Sequence, residues 1–319
     1  MTLGLVTDEP RHAPVLFNEA LGFMRPGVHW DGTLGLGGHA IGYLNKFPDS
    51  HLVGSDADLQ MLALAKEALK NAQCLARTTL LHGNYSEIEP EANLKYDSIL
   101  LDLGISSLHL DSLPRGITYR FDQPLDMRLN TQNGEPLSTW LNRASEYEIR
   151  SVIHRYGEEP AAPRIAREII KERENKPIET TFHLTSIIRR ALPPSRTAQR
   201  GHVERHPEVR TYQAFRIHTN SELEHLEKAL HRIPDFLQEG GRLIIISFHS
   251  LEDRLVKNHF RSLERIAVSD PLAKSNWKQG QFQVLTPKPI VPAKDEIELN
   301  PRSRSAKMRV LEKRGENHV

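Results

Sequence analysis

The sequence predicts an α/β protein: a doubly wound, mostly parallel sheet into which a helical domain is inserted. Three observations predict this. Short apolar runs recur between polar or glycine-rich turns, helical patterns alternate with the early runs, and the alternation stops near Ser112 and resumes near Pro207.

The runs at 28–30, 52–53, 78–81, 99–101 and 243–246 are short and continuously apolar, as strands buried on both faces are. Between the first of them, Ala40, Leu44 and Phe47 share one helical face before Pro48 ends it. Leu59, Leu62, Ala63 and Leu69 share the next. From 112 to 207 only helical signals appear. Ser145 and Glu148 form a capping box ahead of Ile149, Val152, Ile153 and Tyr156, and Gly157 closes that pattern. Further helices are expected over 164–174 and 181–192. Ser221 with Glu224 reads as a second capping box, followed by Leu223, Leu226, Leu230 and Ile233, with Gly240-Gly241 closing the helix. Residues 282–285 and 307–311 are expected to form a terminal strand pair. The predicted division is therefore a main α/β domain, 1–111 with 208–319, and an inserted helical domain, 112–207.

Composition narrows the function classes. The chain has 319 residues, 38% of them apolar and 26% charged, enough to bury a core. A net charge of +1 excludes a chain that is basic throughout, so a nucleic-acid surface must be local. Cys74 is the sole cysteine, which excludes an internal disulfide and a multi-cysteine metal site and fits a reducing compartment. No apolar run approaches the roughly 20 residues that span a bilayer. Asp8, Glu9 and the early prolines do not make a signal peptide. The expectation is a cytoplasmic protein with no membrane partner.

The strongest local motif is Asp31-Gly-Thr-Leu-Gly35-Leu-Gly37-Gly38-His39, which follows a strand and opens a helix. Glycines there allow a sharp turn and close approach of a ligand to backbone N–H groups. Asp56 ends the second strand, where a carboxylate can accept both hydroxyls of a ribose. Asp31, Asp56, Tyr85 and Asp102 all fall at or just beyond strand ends, where open α/β sheets bind ligands. Gly35-x-Gly37-x-x-Ala40 also satisfies the dinucleotide fingerprint, so nicotinamide and S-adenosylmethionine both stay open on the loop alone. Asp31 favours the second. It would oppose a pyrophosphate but could bond the ammonium group of a methionine moiety. Asp102, ahead of Leu103-Gly-Ile-Ser106-Ser107, reads either as a turn former or as a site carboxylate.

Residues 186–216 carry Arg189, Arg190, Arg196, Arg200, Arg205, Arg210 and Arg216 against Glu204 and Glu208, interleaved with His202, His206 and Tyr212. Arginine forks onto phosphate and stacks on bases, so this segment is the expected RNA contact, against the plainer reading of a solvated helix face. His202 and His206 lack a third ligand at suitable spacing, so no metal is expected.

Seven segments together resemble one family. They are Asp31 to His39, Leu101-Asp-Leu-Gly-Ile-Ser-Ser107, Pro124-Leu-Asp-Met-Arg128, Tyr156-Gly-Glu-Glu159, Arg210-Thr-Tyr-Gln-Ala-Phe-Arg216, Ser247-Phe-His-Ser-Leu-Glu-Asp-Arg254 and Asn300-Pro-Arg-Ser-Arg-Ser-Ala-Lys307. In order and spacing the chain is similar, from about His12 to Leu311, to the bacterial 16S rRNA cytosine N4-methyltransferases, the RsmH (formerly MraW) family. The resemblance implies a class I methyltransferase, Rossmann-like fold, S-adenosylmethionine as cofactor and a cytosine in the decoding region of the small ribosomal subunit as target. By motif position it implies Gly37, Gly38 and His39 at the methionine end of the cofactor and Asp56 at the ribose, with Tyr85, Asp102 and His109 completing the pocket. Tyr85 stands where phenylalanine is common, His109 where glutamine is, and Leu108 where proline is. An aromatic wall and a polar group are kept. Asp102 is also the expected catalytic acceptor of the amino proton, with Ser106 or a carbonyl of 103–105 assisting. The inserted domain becomes the RNA-recognition domain, and a homodimer is compatible with the sequence. A nicotinamide oxidoreductase and a non-catalytic RNA-binding assembly factor are the competing expectations.

Overall fold

A computed structural model describes residues 14–89, 91, 94–111, 113–192, 207–267 and 277–315. In chain order its elements are α1 (Phe17–Phe23), β1 (Val28–Asp31), α2 (Gly38–Lys46), β2 (His51–Asp56), α3 (Leu59–Asn71), β3 (Thr78–His82) and β4 (Tyr96–Asp102). There follow α4 (Ser107–Asp111), α5 (Leu137–Arg143), α6 (Glu146–Gly157), α7 (Ala162–Arg173), α8 (Thr181–Ala191), α9 (Pro207–Thr219) and α10 (Glu222–Arg232). The chain closes with β5 (Leu237–Ser247), α11 (Ser250–Glu264), β6 (Arg265–Ala267), β7 (Trp277–Gln279), β8 (Phe282–Val284), α12 (Lys294–Leu299) and β9 (Lys307–Lys313). Among the described residues no helix is long and apolar enough to cross a membrane.

The main sheet runs β3-β2-β1-β4-β5-β9-β8. The first five strands are parallel, and β9 is antiparallel to both β5 and β8. This is the expected doubly wound, mostly parallel sheet, with the expected terminal pair at its edge. The central strands carry the continuous apolar runs because both faces are covered: Ile99, Leu100, Leu101 and residues 243–246 are at most 1% exposed. β3, at the sheet edge, has no fully buried residue. Leu52, Leu100, Ile244, Ile246, Met308 and Val310 join Ala40, Tyr43 and Leu44 of α2 and Ala65 and Leu69 of α3 in one core cluster. The strand order reverses on either side of β1, which makes the β1–β4 end the topological switch point.

The glycines at 240–241 do not stop a helix. α10 ends at Arg232, and a 3₁₀ turn leads into β5, which contains both glycines. Tyr96 pairs with Leu237 and Ser98 with Arg242, so the glycines lie in an irregularity of the ladder. Gly240 has φ 73°, and a side chain on Gly241 would lie 2.7 Å from the Tyr96 carbonyl oxygen. The apolar pattern ahead of them hid a strand entry in which residues 238–240 are exposed.

Contacts divide the chain into one compact unit of residues 1–104 with 227–319 and a second of residues 105–226. The helical unit is therefore wider than 112–207, since it takes in α4 and α9. α6 opens with the expected capping box: Ser145 Oγ accepts the Glu148 N–H at 3.2 Å, and Glu148 Oε2 accepts the Ser145 N–H at 2.7 Å. α6 ends at Gly157, as expected, and the glycine is required by packing as well. Glu158 is the left-handed cap (φ 47°), while a Cβ on Gly157 would stand 2.7 Å from the Arg210 carbonyl of α9. That close approach is what draws α9 into this unit. The second expected capping box is not formed. Ser221 is left-handed (φ 47°), and Glu224 Oε1 instead accepts the Tyr156 hydroxyl at 2.8 Å.

Candidate active site

The turn after β1 is built by hydrogen bonds between strands. The Gly32 N–H donates to the Leu100 carbonyl at 2.9 Å, that of Leu34 to Ser55 at 2.9 Å, and that of Gly37 to Leu34 at 2.7 Å. A Cβ on Gly32 would fall 2.5 Å from Leu101 Cδ2 and 3.1 Å from Tyr85 Cβ, so only glycine fits between β4 and the loop after β3. Gly37 (φ 79°) is the left-handed residue at the start of α2. The Gly35 N–H donates to Asp56 Oδ2 at 2.8 Å, and Asp56 Oδ1 accepts the Asp58 N–H at 2.8 Å. A carboxylate offers about four lone-pair sites, so these two bonds orient Asp56 and leave acceptor capacity for a diol.

Three carboxyl groups close three adjacent strands: Asp56 on β2, Asp31 on β1 and Asp102 on β4. Asp31 is 1% exposed. Burial pushes its pKa up to about 7, against the opposing effect of the Thr33 N–H bond at 3.2 Å. The like charges of Asp102 and Asp56 add to the rise. Asp102 is raised to about 7 as well, first by its enclosure. The Gly104 N–H bond at 3.2 Å works against this and the charge of Glu252 adds to it. Solvent reaching the 23% of the Asp102 side chain that is exposed screens part of the effect, so the rise is firmer for Asp31. Thr33 ties the two strands together, because its hydroxyl accepts the Asp102 N–H at 2.7 Å.

His39, on the first turn of α2, is 6% exposed and turns Nε2 toward Asp102 Oδ2 at 3.8 Å. That is ion-pair distance, but burial holds the imidazole down at about 4. The pair at neutral pH is thus a neutral ring beside a carboxyl near its midpoint, not a salt bridge. Tyr85 is half-buried three residues past β3, in a loop set by Asn84, whose Oδ1 accepts the Ser86 N–H at 2.9 Å.

The segment after β5 gains a definite structural role. Glu252, 3% exposed, accepts the backbone N–H groups of Phe248 at 2.8 Å and His249 at 3.2 Å through Oε2. His249 Nδ1 accepts the Glu252 N–H in return, completing a capping box for α11. Asp253 binds Arg309 and Lys307 of β9 at 2.6 and 3.3 Å. The ring of Phe248 lies where a side chain on Gly104 would be, at 2.8 Å. This segment therefore seats the loop after β5 against the loop after β4, beside Asp102.

In the helical unit, His109 lies on α4 and is 5% exposed. The arginine segment is only partly within reach. Arg196, Arg200, Arg205, His202 and His206 lie outside the described residues. The four described arginines already have carboxylate partners in their own unit: Arg189 with Glu208 (2.7 Å), Arg190 with Glu172 (2.5 Å), Arg210 with Glu159 (3.5 Å) and Arg216 with Glu222 (2.8 Å). Arg216 is 15% exposed and serves the fold. Arg189 keeps 66% exposure and remains open to solvent on one side.

Asp31, Gly37, Gly38, His39, Asp56, Tyr85 and Asp102 thus lie on contiguous strand ends, the loops beyond them and the first turn of α2. Sequence reasoning included Thr33, Phe248 and Glu252 in its motifs but gave none of them a role. Glu252 sits three residues after His249, the capping-box interval, but histidine in place of serine or threonine concealed it.

The profile of the MraW methylase family matches residues 9–314. The chain is 43% identical over 95% of its length to the ribosomal RNA small subunit methyltransferase H of Syntrophus aciditrophicus, covering 97% of that protein. It is 40% identical over 96% of its length to the protein of the same name from Clostridioides difficile, covering 99% of it. Among solved structures it resembles an rRNA methylase from Streptococcus thermophilus, at 12% identity and a TM-score of 0.38, over 93% of this chain and 95% of that one.

Proposed function

The chain belongs to the MraW methylase family, and from that premise we propose that it methylates the N4 amino group of a cytosine in the decoding region of 16S rRNA. Methyl transfer from S-adenosylmethionine to small-subunit ribosomal RNA is the family's activity. The nicotinamide reading that the glycine loop left open, and the competing non-catalytic reading, are set aside by this membership.

The residues present fit the cofactor. It carries two positive charges and a ribose diol. The strand ends carry an oriented Asp56 and two further carboxyl groups, Asp31 and Asp102, that burial keeps partly protonated while no cation is held. The observation that carries the reading is this run of three carboxyl groups along β2, β1 and β4 behind a glycine turn. On this reading Asp56 would hold the ribose, Gly37, Gly38 and His39 would line the methionine end, and Tyr85, Asp102 and His109 would complete the pocket. When bound, the cofactor supplies a methyl group already activated on a sulfonium.

The protein's task is to present the amino nitrogen. That nitrogen is a weak nucleophile because its lone pair is delocalised into the ring. An acceptor beside it favours a tetrahedral geometry and takes the proton that must leave. Asp102 suits this role: it ends the central strand at the switch point, and its pKa near 7 matches the pH of the cell. Ser106 or a carbonyl of 103–105 would assist. The base must be unstacked, at a cost on the order of a few kcal/mol. Contacts from the helical unit, residues 112–207 and their flanks, would offset that cost. The assembled small subunit in the cytoplasm is the proposed substrate.

The test is methyl transfer from labelled cofactor to small subunits lacking the modification, followed by nucleoside analysis. Label in N4-methylcytidine is expected, and label in another nucleoside overturns the assignment. For the RNA face, Arg189→Ala combined with Arg196→Ala and Arg200→Ala should flatten the salt dependence of subunit binding. Each lost phosphate contact removes about 0.7–0.9 from the log–log slope. An unchanged slope removes this segment from the RNA surface.

A further inference from the structure

We infer that Asp31 and Asp102 make the site read the charge on the cofactor's sulfur, so that S-adenosylmethionine binds with loss of protons that S-adenosylhomocysteine leaves in place. This rests on the cofactor reading above and adds to it a role for Asp31, which is absent from the pocket contacts just named.

In a nucleoside thioether or sulfonium the sulfur is one carbon from the sugar. A ribose held at Asp56 on β2 brings the sulfur toward the next strand ends, β1 and β4, about 4.8 Å apart in a sheet. Those ends carry Asp31 and Asp102. Among the described residues Asp56 on β2 acts on Asp31, His39 on α2 and Glu252 on α11 act on Asp102, and Tyr85, in the loop after β3, packs beside Gly32. His29, on β1 itself, is fully buried and His39 nearly so, and both are held neutral, at about 3 and about 4. His39 is 6% exposed, turns Nε2 toward Asp102 and lies against the backbone of Val15. The charges that Asp31 feels most strongly, those of Asp102 and Asp56, are both negative.

Such a site is costly to ionise without a cation. Two buried carboxyl groups near pH 7 are partly protonated, and a positive charge between them drives the protons off. The sign follows. Affinity for a cationic ligand rises with pH up to the carboxyl pKa of the free site, about 7, and levels off above it. A neutral thioether gains nothing from the same ionisation. The two cofactor forms share adenine, ribose, carboxylate and ammonium, so those parts cancel in the ratio of their affinities, leaving the sulfur charge. Transfer of the methyl group removes that charge, and the pocket then loosens its hold on what distinguished substrate from product.

The experiment is calorimetric titration of the full-length protein with each ligand, at pH 6.5 in two buffers of different ionisation enthalpy, with affinities measured from pH 5.5 to 7.5. S-adenosylmethionine is expected to release about one proton more than S-adenosylhomocysteine, and the affinity ratio should grow about tenfold or more across that range. Asp31→Asn should lower the ratio about tenfold at pH 7.5 while S-adenosylhomocysteine affinity moves less than about twofold, which also reports an intact fold. Equal proton release by the two ligands overturns the inference. So does an Asp31→Asn variant that weakens both alike, because Asp31 would then serve the ammonium they share. Failure of either ligand to bind the unaltered protein overturns the cofactor reading itself, and is distinguishable for that reason.

Discussion

Asp102→Ala is expected to slow methyl transfer about 10²–10³-fold, while S-adenosylhomocysteine affinity falls by less than about tenfold. Single-turnover rates with small subunits, set beside ligand titrations, separate the two quantities. The difference arises because the carboxyl group acts on the amino nitrogen as its proton leaves, whereas the neutral thioether draws little on its charge. At subsaturating cofactor the wild-type rate should rise with pH through about 7 and then level, because the free site must lose its carboxyl protons before the sulfonium is held and Asp102 can accept another. In the alanine variant that limb should become shallower, since only Asp31 is left to titrate there. Losses of equal size in rate and in S-adenosylhomocysteine affinity would assign Asp102 to holding the cofactor alone. The neighbouring Glu252 supplies a finer check. Its charge is one cause of the raised Asp102 pKa, so Glu252→Gln should move the acid limb to lower pH.

Glu252→Ala is expected to cost about 3 kcal/mol of stability, because it strips the acceptor from two backbone N–H groups beside a 3%-exposed side chain. It also removes half of the capping box on α11. Denaturant titration followed by circular dichroism measures the loss. Glu252→Gln keeps an acceptor oxygen in place and should recover more than half of it. A glutamine variant as unstable as the alanine variant would mean that the negative charge, rather than the hydrogen bonds, holds the loop after β5.

Much of the fold was legible because it depends on local pattern. The apolar runs of β1, β2, β4 and β5 follow from burial on both faces, and the Ser145–Glu148 box needs only its own helix start. The features misread were those settled by distant chain. Gly240-Gly241 is shaped by the Tyr96 carbonyl on β4, far away along the chain. Glu224 was drawn from its expected cap by the hydroxyl of Tyr156. The arginine segment shows the same limit. Charge counted along the chain overstated what is available, because the described arginines meet carboxylates brought in by the turn after α6, by α7 and α10 or by the start of α9.

The sequence by itself determined the sheet, the glycine turn and the placement of Asp31, Asp56 and Asp102 at strand ends, since strand length and turn chemistry are written in neighbouring residues. Only the tertiary structure decided that these three carboxyl groups stand on adjacent strands, that two of them are raised to about 7, and that Glu252 anchors the loop beside them. Ionisation depends on desolvation and on the charges nearby in space, and strand order, not chain order, sets both.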